Sequence, residues 1–589
     1  MNFHATTSTE LSARARRMVL VRIWLAEHFR LSEIQATLLW AALIGFAGAW
    51  SSILFKDATE LLHRLFTGHG GGYVDSFRLL PWWNRLLVPT GGGLLAGLTL
   101  YFGSRFKARD NSTDYMEAVV VGDGRLSVRV SLVKSLSSLF SGASGASIGR
   151  EGPLVQLSSL VASMVGRLLR FPLARQRQLV ACGAAAGIAS AYHAPVSGAF
   201  FVAEIVLGSL VMESIGPLVV SSVIATLTMR SFQNSDALYS APVFAMHNTR
   251  DLIPYVLLGV GCGLVAPLFL KFLKGCELMF AKLKLPAYLR LALGGAIVGA
   301  MAIYRPEVTG NGSSLVFGIL NHPGTWQVLA VILVCKLLAT GATFGSGAVG
   351  GVFTPTLFTG AAMGFLFGEA CRALLPGWGL EPGAFGLVGM GAFLAAATGA
   401  PLMAIIMIFE LTLNYQILMP VMLAGVFSYY VTRSLTPHSL YGDTLKRKGQ
   451  VAVAGFLAGL KVGDLMGKAH DAIPAEAGFG EVVRMFLQSR REYLNVLENG
   501  RFAGTISLHD IKSYLDQPEL EDLVIAKDVM REDTCWLTFD QTMSEALHVF
   551  GRAEAECLPV LDQDSRLLGS VTKTDVLLFL AGSPKRPET

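Results

Sequence analysis

Two short strings carry residue types and spacing suited to holding a small anion: Gly149-Arg150-Glu151-Gly152-Pro153 and Gly351-Val352-Phe353-Thr354-Pro355. Each closes a glycine-rich stretch with a proline, a residue tolerated in the first turn of a helix because it lacks the N–H that would be orphaned there. A helix start exposes unpaired N–H groups and the positive end of the macrodipole, so it attracts an anion without any fixed cation. Glu151 then allows two readings. A carboxylate is itself a small anion, and at converging helix starts it can occupy the anion's place until protonation or displacement releases it. Alternatively it is a solvent-facing carboxylate satisfied by its own helix dipole beside Arg150. Bond-making chemistry is not signalled, and the protein is expected not to be an enzyme. None of the 11 histidines is followed by Glu, which removes the H-E-x-x-H zinc pair, and no G-x-x-x-x-G-K-[ST] string occurs. The seven cysteines lie far apart without a CxxC, so neither a zinc site nor a disulfide framework is indicated.

The elements that position these strings belong in a membrane. Of 589 residues, 52% are hydrophobic and 15% charged, against roughly 45–50% and 25% in soluble domains. Residues 1–450 carry 34 Lys and Arg against 21 Asp and Glu, whereas residues 451–589 carry 14 against 22. The first region is too apolar for water and the second too charged for a bilayer. Stretches 34–55, 86–104, 252–270, 337–368, 382–409 and 411–432 lack charged residues altogether, and about 20 apolar residues cross a bilayer. Arg14, Arg16, Arg17, Arg22 and Arg30 precede the first span in place of a signal-peptide core, so the N-terminal segment 1–33 is read as cytoplasmic.

Many of the 63 glycines interrupt these spans. An interrupted helix needs its freed backbone groups buried in protein or facing a polar cavity, although small residues also simply let helices pack closely. A repeat favours the cavity. At an offset of 202, Lys134 falls on Lys336, Ser144-Gly145-Ala146 on Ser346-Gly347-Ala348, Gly149 on Gly351 and Pro153 on Pro355. At 206, Gly183 falls on Gly389, and Ala194-Pro195 with Glu204 falls on Ala400-Pro401 with Glu410. Duplicated membrane domains with broken helices are mostly transporters. A cation pathway would place several acids within the spans, and here they are few.

The strings resemble the signatures of the CLC family of chloride channels and chloride/proton antiporters, over about residues 30–445. Ser112-Thr113-Asp114-Tyr115-Met116-Glu117 resembles the bacterial ClcB-type branch, an altered form of the family's Gly-Ser-Gly-Ile-Pro-Glu. The resemblance implies an all-α polytopic domain (34–445) of two inverted halves, about 34–250 and 251–445, with about eighteen helices. It also implies a homodimer with one pore per subunit. It makes Glu151 the gate. Chloride would lie beside Gly149 and Arg150, on main-chain N–H groups of Val352 and Phe353, with hydroxyls from Thr113, neighboured by Ser112, and from Tyr441. An aromatic at a membrane edge is otherwise an interface anchor. Antiporters of the family carry a proton-relaying glutamate directly after the position of Glu204; here that residue is Ile205, leaving Glu204 as relay candidate or as a helix-end partner with Glu410. The expected activity is therefore a voltage- or pH-gated chloride channel, with an antiporter of altered coupling as the alternative.

The tail repeats as well: Asp464-Leu465-Met466 returns as Asp528-Val529-Met530, and Gly504-Thr505-Ile506-Ser507 as Gly569-Ser570-Val571-Thr572. After a linker (446–460), units 461–520 and 521–583 resemble a tandem CBS pair, a cytoplasmic α/β module. The resemblance allows an adenine nucleotide at Ser507, Asp510, Thr572 and Asp575; the aspartates are equally ordinary helix N-caps. A CBS-bearing metal-cation channel is the rival of another class. No metal or cofactor is required, no nucleic acid is implied, and the setting is a bacterial inner membrane.

Overall fold

The computed structural model describes residues 33–103, 114–120, 122–233, 239, 249–321, 324–442, 460–468, 472–488, 493–515, 523–553 and 556–580. Backbone contacts divide the chain into two compact units, Met1–Arg447 and Lys448–Thr589, each described by itself below.

The first unit contains seventeen α-helices among the described residues, from Glu33–Thr67 to Leu418–Leu435. Six are long and apolar enough to cross a membrane, including Trp82–Gly103, Leu252–Lys282 and Trp326–Gly345. Their outer faces carry large apolar side chains, as Leu39, Leu43, Phe46 and Leu54 do on the first helix. The interior combines many small residues, Ala above all with buried Ser, with Leu, Val, Ile and Phe. Several buried hydroxyls find their partners within the protein, as a lipid setting favours: Ser158 Oγ donates to Gly48 O at 3.0 Å and Ser221 Oγ to Cys182 O at 2.9 Å.

Backbone geometry repeats with the sequence. Gly145 and Gly347 both adopt left-handed φ, +90° and +91°, which a side chain rarely tolerates. Ser144 Oγ donates to Ser141 O at 2.9 Å, and Ser346 Oγ to Thr343 O at 2.8 Å. The residues preceding the two proline-bearing helices match as well, Arg150 at φ −95°, ψ 3° and Val352 at φ −102°, ψ 13°. In the first half the helix Glu151–Leu168 lies against Leu173–Tyr192, and in the second Phe353–Leu374 lies against Pro382–Thr398. The halves meet head to head. Gly149 N donates to Gly351 O at 2.7 Å and Gly351 N to Gly149 O at 2.9 Å, an antiparallel bridge between repeat mates. A residue that exchanges both hydrogen bonds with its own repeat mate marks a local two-fold, so the halves are inverted.

The tail unit contains two sheets, ordered β1-β7-β6-β5 and β2-β3-β4. The strands are β1 (Gly467–Lys468), β2 (Ala472–Pro474), β3 (Tyr493–Glu498), β4 (Arg501–Ser507), β5 (Leu537–Thr538), β6 (Cys557–Leu561) and β7 (Leu567–Thr572). In each copy a parallel pair (β2/β3, β5/β6) is extended by an antiparallel hairpin (β3/β4, β6/β7). The register shifts at Val496/Leu497 and at Val560/Leu561, the same place in both. The copies exchange their opening turns: Val462 and Leu465 pack with Leu537, Phe550 and Val560, whereas Ala526 and Val529 pack with Ile473, Phe486 and Val496. Each core therefore needs both copies.

Candidate anion site

Glu151 begins its helix and is only 4% exposed. Its carboxylate reaches across the two-fold to the start of the opposite half's helix, Phe353–Leu374. Oε1 accepts from the Thr354 N–H at 2.9 Å, the Thr354 hydroxyl at 3.2 Å and the Tyr192 hydroxyl at 2.9 Å. The two hydroxyls lie 3.0 Å apart. Three donors thus converge on one oxygen, at the joint N-termini of two helices whose dipoles favour negative charge. The approach requires glycine on both sides: a Cβ at Gly149 would lie 1.9 Å from Oε2, and one at Gly351 3.1 Å from the carboxyl carbon. Tyr192 is the last residue of the helix Leu173–Tyr192, which His193 ends in the left-handed conformation at φ +56°. Its ring packs 4.9 Å from that of Phe353, which aims the hydroxyl.

Among the expected site residues, Gly149, Arg150, Val352 and Phe353 assemble around Glu151. Arg150 and Val352 each immediately precede a helix, and Phe353 is fully buried. The donating N–H is that of Thr354, one residue beyond the expected pair. Ser112 and Thr113 lie outside the described residues. Tyr441 stands edge-on to Phe201, 5.5 Å between centroids, and the preceding Leu440 N–H is anchored to Ala397 O at 2.9 Å. On the Arg150 side of Glu151 opens a cavity of about 610 Å³ whose lining includes Lys56, His63, Arg150 and His193 beside Asp57 and Glu60. Lys56 is held there by Ser190 O at 2.9 Å.

Sequence reasoning missed Tyr192 and Thr354. Thr354 stands in plain view between Phe353 and Pro355, whereas Tyr192 carries no motif and falls on Thr398 at the second offset.

A second crossing lies at the prolines. Glu204, within the π-helical stretch Phe201–Leu207, accepts from the N–H groups of Leu402 at 3.3 Å and Met403 at 2.8 Å. Glu410 accepts from Val196 N at 2.9 Å, Ser197 N at 2.7 Å and Ser197 Oγ at 2.5 Å. Each glutamate caps the first turn of the other half's helix, Pro401–Thr412 or the one beginning at Pro195. Ile205 packs against the apolar core.

In the tail, Ser507 and Asp510 form one reciprocal cap and Thr572 and Asp575 another. Ser507 N and Oγ donate to Asp510 Oδ2 at 3.0 and 2.6 Å, and Asp510 N returns a bond to Ser507 Oγ at 3.2 Å. Thr572 N donates to Asp575 Oδ2 at 3.2 Å, as does its hydroxyl, and Asp575 N returns a bond at 3.0 Å. Arg531 Nε also donates to Asp510 Oδ1 at 2.9 Å. Burial alone would raise the Asp510 pKa, but the Ser507 and Arg531 bonds outweigh it and hold the carboxyl below its ordinary value.

Compared with known proteins, residues 91–433 match the model of the voltage gated chloride channel family. The chain belongs to the CLC chloride channel family. Residues 462–517 and 526–582 match CBS domains. A putative chloride channel protein, ClcB-like, from Ralstonia nicotianae is 52% identical over 411 residues, 69% of this chain and 96% of that one. The voltage-gated ClC-type chloride channel ClcB of Escherichia coli is 42% identical over 409 residues, 69% and 97% of the two chains. The crystal structure of a slow cyanobacterial chloride/proton antiporter aligns with a TM-score of 0.63 at 25% identity, covering 71% of this chain and 99% of that one. The CLC family comprises ion channels and transporters, and membership decides against the metal-cation channel.

Proposed function

We propose that the protein is a gated chloride channel of a bacterial inner membrane. It works as a homodimer with one pathway per subunit, and its N-terminal segment and CBS tail are cytoplasmic. The observation that carries this reading is the carboxylate of Glu151 held as an anion stand-in: one oxygen takes three donors where the starts of two helices meet. A chloride arriving in that place, or a proton on the carboxylate, breaks the same three bonds, so both voltage-driven anion entry and pH act on one gate. The guanidinium of Arg150 on the cavity wall favours anions there. Deeper in the pathway chloride takes main-chain N–H groups near Val352 and Phe353 with the hydroxyls of Tyr441 and Thr113. No cofactor is required. The tail regulates, either by taking an adenine nucleotide near Ser507, Asp510, Thr572 and Asp575 or purely as a dimer-stabilising module; the reciprocal caps on both aspartates favour the second.

The exchanger is the alternative, and the antiporter among the similar structures speaks for it. Against it stand Ile205, which offers a proton neither a site nor a hydrogen bond, and Glu204, whose oxygens are taken up by two backbone donors. The reversal potential of chloride flux under a proton gradient separates the two. A coupled proton adds about 1.4 kcal/mol per pH unit, comparable with roughly 2.3 kcal/mol per charge from 100 mV. The channel reverses near the chloride equilibrium potential whatever the pH difference; a large shift with pH assigns an antiporter.

A further inference from the structure

The donors around Glu151 are more than the gate needs. A carboxylate seated on a helix start is adequately held by backbone N–H groups, as Glu204 shows, yet here two of the three donors are side-chain hydroxyls. They belong to different halves, Tyr192 to the first and Thr354 to the second, and both are buried, 4% and 2% exposed. Their oxygens lie 3.0 Å apart, within bonding distance of each other as well as of Oε1. When the carboxylate leaves, one hydroxyl can therefore donate to the other, and the pair avoids the cost of orphaned buried groups. When an anion arrives, both protons turn back towards it.

We propose that the Tyr192 and Thr354 hydroxyls form an anion-selecting pair: in the place vacated by Glu151 Oε1 they join the Thr354 N–H in coordinating the transported ion. This rests on the reading of Glu151 as a displaceable gate. The donors converge on a single point, which suits a spherical halide. Nitrate spreads its charge over three oxygens and presents less of it to any one point. In a buried site a donor aimed at concentrated charge is strengthened, and charge-assisted hydrogen bonds exceed neutral ones. The pair thus discriminates by charge density, and Tyr192 and Thr354 set the preference for chloride over nitrate at the outer end of the pathway. The packing of the Tyr192 ring against Phe353 keeps the hydroxyl from following a larger ion.

The test removes the carboxylate first. In a Glu151→Ala background the outer place is open in every molecule, and chloride-to-nitrate permeability ratios come from bi-ionic reversal potentials. Adding Tyr192→Phe, which keeps the ring, or Thr354→Val, which keeps the shape and the N–H, should each lower the ratio about ten-fold, or ~1.4 kcal/mol. Chloride binding by titration calorimetry should weaken in parallel. Unchanged ratios and unchanged binding in both double variants, eluting and transporting as the single variant does, would overturn the proposal and leave the hydroxyls as props for the carboxylate. Failure of the gate reading looks different: wild type and Glu151→Gln would then share one pH profile, whatever the anion ratios.

Discussion

At the Gly149/Gly351 crossing one carboxylate sits on the helix start of the opposite half; at the Pro195/Pro401 crossing two more do the same. The difference lies in the donors. Glu204 and Glu410 take two consecutive backbone N–H groups each, at mates offset by 206 residues: Leu402 and Met403 on one side, Val196 and Ser197 on the other. Glu151 takes one backbone N–H and two hydroxyls on a single oxygen, and its own repeat mate is Phe353 rather than a second acid. The Pro195/Pro401 crossing is therefore symmetric in its backbone donors, with the Ser197 hydroxyl added on one side, a clamp between halves. The other is asymmetric, a single acid meeting donors from both halves. On the proposed reading, the same interaction, a carboxylate on a foreign helix start, serves as a clamp or as a gate according to whether both halves supply the acid.

The largest effect that can break this contrast is at Glu151. Glu151→Gln keeps the shape but loses the ionisable carboxyl, so the amplitude of the dependence of chloride flux on external pH should collapse by about ten-fold or more. Flux into liposomes at a series of external pH values reads this directly, and an unaltered profile would remove the gate.

Next in size are the clamps. Hydrogen bonds to charged groups contribute about 1.5–3 kcal/mol each net where they are buried, and about 1 kcal/mol each at these partly exposed helix starts. Glu410→Ala, which loses three bonds, should therefore destabilise by about 3 kcal/mol, and Glu204→Ala, which loses two, by about 2 kcal/mol. Thermal unfolding in detergent should rank them in that order, with chloride-to-nitrate selectivity unchanged in whatever folds. A selectivity change in Glu204→Gln, or pH-coupled transport lost with it, would mean that this crossing also belongs to the pathway.

How much of this was legible depends on whether an interaction is written locally. The duplication could be read because backbone constraints recur at fixed offsets: Gly145 and Gly347 need the same left-handed turn, and Gly149 and Gly351 the same close approach. Glu204 and Glu410 were readable as helix-end partners because each follows a proline-started helix at the same distance. Tyr192 was not. It meets Glu151 across 41 residues and Thr354 across 162, through a packing of helix ends that no periodicity encodes. The tail units could be traced from their strand and turn pattern, but the exchange of opening turns between copies could not, since Val462 and Ala526 look alike in sequence and only folding decides which core each enters.

The smallest effect extends the comparison into water. The tail aspartates cap their own helices: Asp510 and Asp575 make the same three bonds with Ser507 and Thr572, and among the described residues only Asp510 adds an arginine, Arg531, whose bond helps hold its pKa down. A carboxyl whose folded pKa is depressed contributes stability that is present above the unfolded value, about 3.9, and is lost as pH falls through the lower folded value. Arg531→Met should therefore reduce the stability of this segment at pH 7 by about 1 kcal/mol or less, because the guanidinium is largely exposed and screened. Below the folded pKa the variant and wild type should converge. Hydrogen exchange over residues 501–515 of the full-length protein, compared at pH 7 and near pH 3, measures the difference. Asp510→Asn should likewise cost more than Asp575→Asn at neutral pH, by the arginine's share alone. If the two aspartates prove equal, the arginine contact contributes nothing and the two caps are equivalent. If Arg531→Met costs several kcal/mol, a solvent-facing cap rivals the half-buried clamps, and the ordering from Glu151 to clamp to cap, which rests on burial and donor number, no longer holds.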